Sequence, residues 1–319
     1  MKHVIYPERQ GTATTTSADA NYPITNLTAN AVRKKVWKAA SGVQTATIRV
    51  PISANAEVIS LHKTNAETAI CTITLNSTEK AFSAAAAVDV GGGLVKLPIP
   101  THGMAEGNII LINGTTNYDG VETLPTQAAG DANNLIITAT YVAETFAITD
   151  TACIVVESTT HTLETATRTY DRFWQEYTQQ AAAHTATIKL TAGTGETVEA
   201  GIVRAGDMLT LAGPLRSPGE RPVSYSIRKE LHSGAFYGKQ LDIVRSFSYS
   251  MLLARETEYR DLMDLYRYYD PDPFAMLITD NPNIADDNQY AVFGVLDGEP
   301  TATHTLPKST VGVNILEVV

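Results

Sequence analysis

The strongest constraint on this chain is the recurrence of short runs in which Ile, Val and Thr alternate with polar residues. Ala46–Ile52 (ATIRVPI), Glu57–Leu61 (EVISL), Thr68–Leu75 (TAICTITL) and Thr185–Leu190 (TATIKL) share the pattern. β-Branched side chains suit a pleated surface, and a period of two puts one face in the core and the other in solvent. Runs of this length with Asn, Ser and Gly breaks between them predict a sandwich or barrel.

Ala84–Ala87 and Gly91–Gly93 mark a junction. Beyond it, Asn108–Asn113, Leu135–Thr140 and Ile154–Glu157 form a second set of short strands around the turn-rich Gly114–Gly120. This unit carries Glu106, Asp119, Glu122, Asp131, Glu144, Asp150 and Glu157 against Lys96 alone, which predicts a small acidic β-module. Gly201–Leu211 reads as one bent strand or a strand pair, and Gly213–Gly219 as a linker. After it, Val223–Leu231 and Leu241–Leu253 predict long strands, the second with Ile243, Arg245, Phe247, Tyr249 and Met251 on one face. Arg255–Tyr269 is the one helix, with Tyr259, Leu262, Met263, Tyr266 and Tyr269 at spacings of three and four. Glu256 and Arg260 support it, and Asp270–Pro273 ends it. Phe274–Thr279, Tyr290–Leu296 and Val311–Val318 return to strand.

Composition narrows the function. At 44% hydrophobic residues the chain can build real cores, and its net charge of −10 argues against sequence-independent nucleic-acid binding. No apolar stretch reaches the length of a membrane span, and the first residues lack the apolar core of a secretion signal. Cys71 and Cys153 sit in strand-like runs, as buried thiols or as one disulfide, and no Cys/His cluster predicts zinc. There is no GxSxG, HExxH or P-loop pattern, the seven histidines are scattered, and Gly91–Gly93 lacks a following Lys-Ser/Thr. Asp270, Asp272, Asp280, Asp286 and Asp287 have no calcium-loop spacing and read as solvated turn carboxylates. The expectation is therefore a protein that is not an enzyme and uses no cofactor or metal.

Candidate contacts are few. Tyr118 and Asp119 belong to Thr115–Gly120, which is equally a polar tip for a partner and a tight turn. Trp37, among Lys34, Lys35 and Lys38, is either a stacking platform for a sugar or a core residue with snorkelling neighbours. Tyr is twice as common as Phe, which suits interfaces. Residues 1–49 are basic and residues 256–299 acidic, a polarity that favours head-to-tail packing of copies.

Several stretches in order resemble tail-tip and baseplate (distal-tail-like) structural proteins of tailed bacteriophages. Tyr22–Leu27, then Lys35–Trp37 and Thr45–Val50, resemble the opening of a discoidin-like (galactose-binding-like) jelly roll, with Glu57–Asn65 as its next strand and turn. His102–Gly107, Gly114–Gly120 and Tyr141–Phe146 look like a small β-barrel insert of virion proteins. The part from Val223 to Ile315–Val318 is similar to distal-tail β-sandwiches. The resemblance implies a mainly β protein: a discontinuous jelly roll (residues 1–90 and 159–212), an inserted acidic barrel (91–158) and a C-terminal sandwich (220–319) with its helix near 255–269. It also implies a structural virion protein, made in the host cytoplasm, that forms a homo-oligomeric ring and docks tail tube, hub or fibres. The alternative is a carbohydrate-binding adhesin that holds a host surface glycan. The sugar-binding loop residues of discoidin-like lectins have no match here.

Overall fold

A computed structural model describes residues 3–28, 36–52, 56–75, 79–124, 132–166, 168–177, 184–212, 219–224, 227–230, 236–239, 243–254, 256–278, 290–305 and 307–318. The basic run Arg33–Lys35, most of the 213–219 linker, and Asp131, His232, Asp280, Asp286 and Asp287 lie outside them. The chain is mainly β, with one α-helix among the described residues, as its periodicity predicts.

The first core lies between two sheets. Thr45–Ile52, His184–Ala192, Ala66–Leu75 and the later part of Thr151–Thr162 are neighbours in one sheet. Arg172–Glu176, Val58–Thr64 and Glu199–Thr210 are neighbours in the other. Alternation decides which side chains turn inward. Ile48, Val50, Ile73, Ile188 and Leu190 meet Ile59, Leu61, Phe173 and Val203 in one cluster. Each such fully buried side chain is worth about 1.5–3 kcal/mol relative to exposure. The outward face carries Thr72 and Thr74 beside Thr187 and Thr185, and a Thr72–Ser158 hydroxyl bond of 3.0 Å ties it sideways. Gly201–Leu211 is not a strand pair: Glu199–Thr210 is one continuous strand.

Residues 79–150 leave this sandwich after Ala66–Leu75 and build a separate core. Val95, Leu97, Ile110, Ile112, Leu135 and Ile137 pack there with Phe82, Tyr118 and Phe146. Thr151–Thr162 belongs to both units. Its first residues pair with Ile109–Asn113 and its later ones with Ala66–Leu75, with a register shift between Val155 and Glu157. Such a bulge bends a strand and re-aims it.

The N-terminal strand, His3–Glu8, joins the two ends of the chain. It pairs with Glu199–Thr210 on one side and Phe274–Leu277 on the other. The order then continues through Ala291–Leu296, Lys308–Glu317, Ile243–Ala254 and Gly219–Ser224, giving an 11-stranded sheet. Val4 faces one core and Ile5 the other. Gly206 is required at the close approach: a Cβ there would collide with the Pro7 carbonyl oxygen.

The helix spans Glu258–Tyr269 and buries Leu262, Leu265 and Tyr269 against Phe247, Met251, Phe274 and Ile315. Met263, expected on the apolar face, is only half-buried, and Leu265 takes the core position. The Glu258 carboxylate accepts the Ala254 N–H at 2.7 Å, and the Tyr269 hydroxyl donates to the Ile5 carbonyl at 3.0 Å. The helix is thereby fixed to the strand that enters it and to the N-terminal strand.

Because the large sheet curls, two parts of one face meet. Val58, Trp174 and Ile202 from the first sandwich pack with Ile5 and with Ala275, Leu277, Ala291 and Phe293 from the C-terminal part. This seam also holds charge. Arg204 is fully buried and pairs with Glu8 at 3.0 Å. The Glu317 carboxylate accepts hydrogen bonds from Arg172 and Arg245.

Candidate functional site

The structure places the sequence-predicted contact residues in or against cores. Trp37 has no exposed surface, and its Nε1 donates to the Ser17 carbonyl at 3.2 Å. It pairs through the short strand Trp37–Lys38 with Glu199 and Ala200, beside the inward-facing Leu27 and Phe173. Its face is spent on packing, so of the two alternatives for Trp37 the structure shows the core residue. Lys38, beside it, is held by Glu199 at 2.5 Å and lies over the Tyr22 ring.

Tyr118 is buried as well. Its ring packs on Phe146, and its hydroxyl donates to the Val142 carbonyl at 2.6 Å and accepts from the Val142 N–H at 2.9 Å. Asp119 stays at the surface but serves the turn, accepting the Thr115 N–H at 2.7 Å and the Thr115 hydroxyl at 3.0 Å. Burial raises its carboxyl pKa, and these two bonds pull it back. Glu144 closes the other side of the turn by accepting the N–H groups of Thr116 and Asn117. Thr115, Asp119 and the more distant Glu144 thus join in one hydrogen-bonded turn, with Thr116 and Asn117 exposed.

The feature that composition alone did not show is where apolar surface is left uncovered. Apart from Tyr22 and Tyr268, every large apolar side chain that stands exposed among the described residues lies between residues 79 and 150, the part that builds the separate core and begins earlier than the expected 91. These are Val88, Val90, Ile109, Val121, Tyr141, Val142 and Ile148, the last 70% exposed. Val121 pairs directly with Leu111, and Leu111 with Cys153, so Val121 extends an apolar row across three strands. Near the tip, the Ala87 N–H donates to the Glu144 carbonyl, bringing the Val88 strand to the segment that holds Tyr141 and Val142. Single exposed apolar residues are ordinary; here seven of them fall within one unit of the fold.

Several of the N-terminal cations have partners within the chain. Arg9 pairs with Asp207, Lys38 with Glu199 and Arg49 with Glu79. All three pairs keep part of their surface in water. Among the described residues no three His, Cys, Asp or Glu side chains converge as metal ligands would. None of the described helices is long and apolar enough to cross a membrane. No family model, curated protein or solved structure matches this chain.

Proposed function

We propose that the chain is a structural, partner-docking protein of a bacteriophage tail tip or baseplate. In this reading it assembles as a ring around the tail axis and uses its acidic insert to engage a neighbouring tail protein. What supports the docking part is the insert itself, whose own core is satisfied while its exposed apolar residues remain uncovered. The phage setting rests on the ordered resemblance of Tyr22–Val50, His102–Phe146 and the region from Val223. The rival glycan-binding reading needs an exposed aromatic platform. Trp37, Tyr118 and Trp174 are all buried.

The test is the solution mass of the full chain by light scattering across concentration, with negative-stain images. A closed ring of fixed copy number is the expected result. A strict monomer at every concentration overturns ring formation by the chain alone. A glycan screen that returns specific binding overturns the docking reading in favour of the adhesin.

A further inference from the structure

The seam between the first sandwich and the C-terminal part contains a histidine that nothing satisfies. His62 lies on Val58–Thr64, opposite Arg172 on one neighbouring strand and Ile202 on the other. It is 1% exposed, and neither ring nitrogen has a hydrogen-bond partner among the described residues. The ring packs on Phe293, with centroids 5.8 Å apart. Two residues earlier on the same face, the Ser60 hydroxyl is likewise buried without a partner.

The charged groups around it come from five strands. Arg172 belongs to Arg172–Glu176, Arg204 to Glu199–Thr210 and Arg245 to Ile243–Ala254, and all three bear on the ring electrostatically. Glu317 at the end of Lys308–Glu317 is engaged by Arg172 and Arg245. Glu8 on the N-terminal strand is engaged by Arg204. Phe293, from the sixth strand, offers only its ring. Asp171, next to Arg172 in sequence, is also engaged by it, so all three carboxylates are held by guanidinium groups and none bonds the imidazole.

We propose that His62 is an acid-sensitive latch on this seam: neutral, it lets the C-terminal part seat on the first sandwich; protonated, it forces the two apart. Protonation in place would set an imidazolium among three guanidinium groups inside an apolar cluster. A buried charge without a partner is among the costliest defects a fold can carry. Burial, followed by the three arginines, holds the ring well below the usual histidine range, in keeping with that geometry. The proton is therefore taken up only when the seam opens and water reaches the ring. Because the closed-state pKa lies below the open-state value, His62 stabilises the seam fully above about pH 6.5 and progressively less as pH falls. The opening equilibrium then rises about tenfold between pH 7.5 and 5.5. Glu317, whose pKa is lowered, acts only further into acid, and Glu8, whose pKa is raised, acts with the opposite sign. The latch is a property of the fold and does not depend on the tail reading.

The experiment is amide hydrogen exchange on the full chain at pH 7.5 and 5.5, corrected for intrinsic exchange, for the wild type and His62→Gln. The wild type should lose about tenfold in protection at Arg172–Glu176 and Ala291–Leu296 while Ile48 and Ile188 stay protected, and the variant should show no such difference. Equal pH dependence in both proteins, or none in the wild type, overturns the latch. An NMR titration of the wild-type imidazole guards against a variant that fails to fold. An inflection near pH 6.5 with the seam still protected overturns the proposal, and its absence until the seam opens supports it.

Discussion

Glu317 accepts a hydrogen bond from Arg172, which lies 145 residues earlier in the chain, and so locks the last strand to the edge of the first sandwich. Arg245 completes the clamp with Nε and Nη2 bonds of 2.9 and 2.7 Å. Glu317 and Arg172 are almost fully withdrawn from water. Replacing one member of such a group leaves the others charged and uncompensated. Glu317→Gln should therefore cost about 3–5 kcal/mol, read as a lower urea midpoint with an unchanged slope. A loss below about 1 kcal/mol would mean the clamp contributes no more than a surface pair.

The same carboxylate dictates an acid limb. Burial would raise its pKa, but the bonds and charges of Arg245 and Arg172 outweigh that and hold it below the ordinary value of 4.5. A depressed folded pKa means a contribution that is complete above the unfolded value and lost as pH falls through the folded one. Stability of the wild type should drop below about pH 4.5, and Glu317→Gln should flatten that limb. Thermal unfolding at pH 3, 4 and 5 separates it from the His62 effect, which begins two units higher.

Gly206 marks the tightest contact of the N-terminal strand. An added Cβ would also lie 2.9 Å from Ile5 Cγ2 and 3.0 Å from Glu8 Cα. Backbone cannot move aside cheaply, so Gly206→Ala should cost about 1–3 kcal/mol. Exchange of the His3–Glu8 amides should rise before that of the first core. An unchanged melting temperature would show that the bulge between Ile5 and Glu8 absorbs the methyl group.

Both cysteines are free and buried. Burial raises both thiols, Cys153 to about 11 and Cys71 beyond it. The thiolate is the reactive form. Neither should react with a disulfide reagent at pH 8 until the chain unfolds, and reductant should leave the melting temperature unchanged. Rapid labelling of the native protein would place at least one thiol at the surface.

The Tyr118 hydroxyl closes the insert tip through two bonds to Val142. Tyr118→Phe removes both and should cost about 1 kcal/mol in the insert. Differential exchange at Thr116 and Asn117 would read it, with the first core unaffected.

Much of the strand framework is legible in order of residues. Thr45–Ile52, Ala66–Leu75, His184–Ala192 and Lys308–Glu317 begin or end within a few residues of the runs that predict them. The helix starts at Glu258, three residues later than its periodicity suggests, and ends at Tyr269 before Pro271. His3–Glu8 escaped notice because a single short strand broken by Pro7 has too little alternation to register. Arg172–Glu176 escaped because charged residues flank its apolar pair, Phe173 and Trp174. The candidate contacts fared differently. Trp37 and Tyr118 are amphipathic side chains whose composition suits a surface or a core equally, and only neighbours decide between them.

Local chemistry alone accounts for the mainly β character, the one helix and the acidity of the insert, because β-propensity, 3.6-residue periodicity and charge are properties of short segments. Which segments meet is a different matter. The sequence holds no sign that His3–Glu8 would bridge the two ends of the chain. Nor does it show Arg172, Arg245 and Glu317 sharing one buried site, or His62 facing three guanidinium groups. Those relationships join residues 72 or more positions apart, and they exist only because the large sheet curls until parts of one face touch. Long-range contact sets burial, and burial sets the electrostatics.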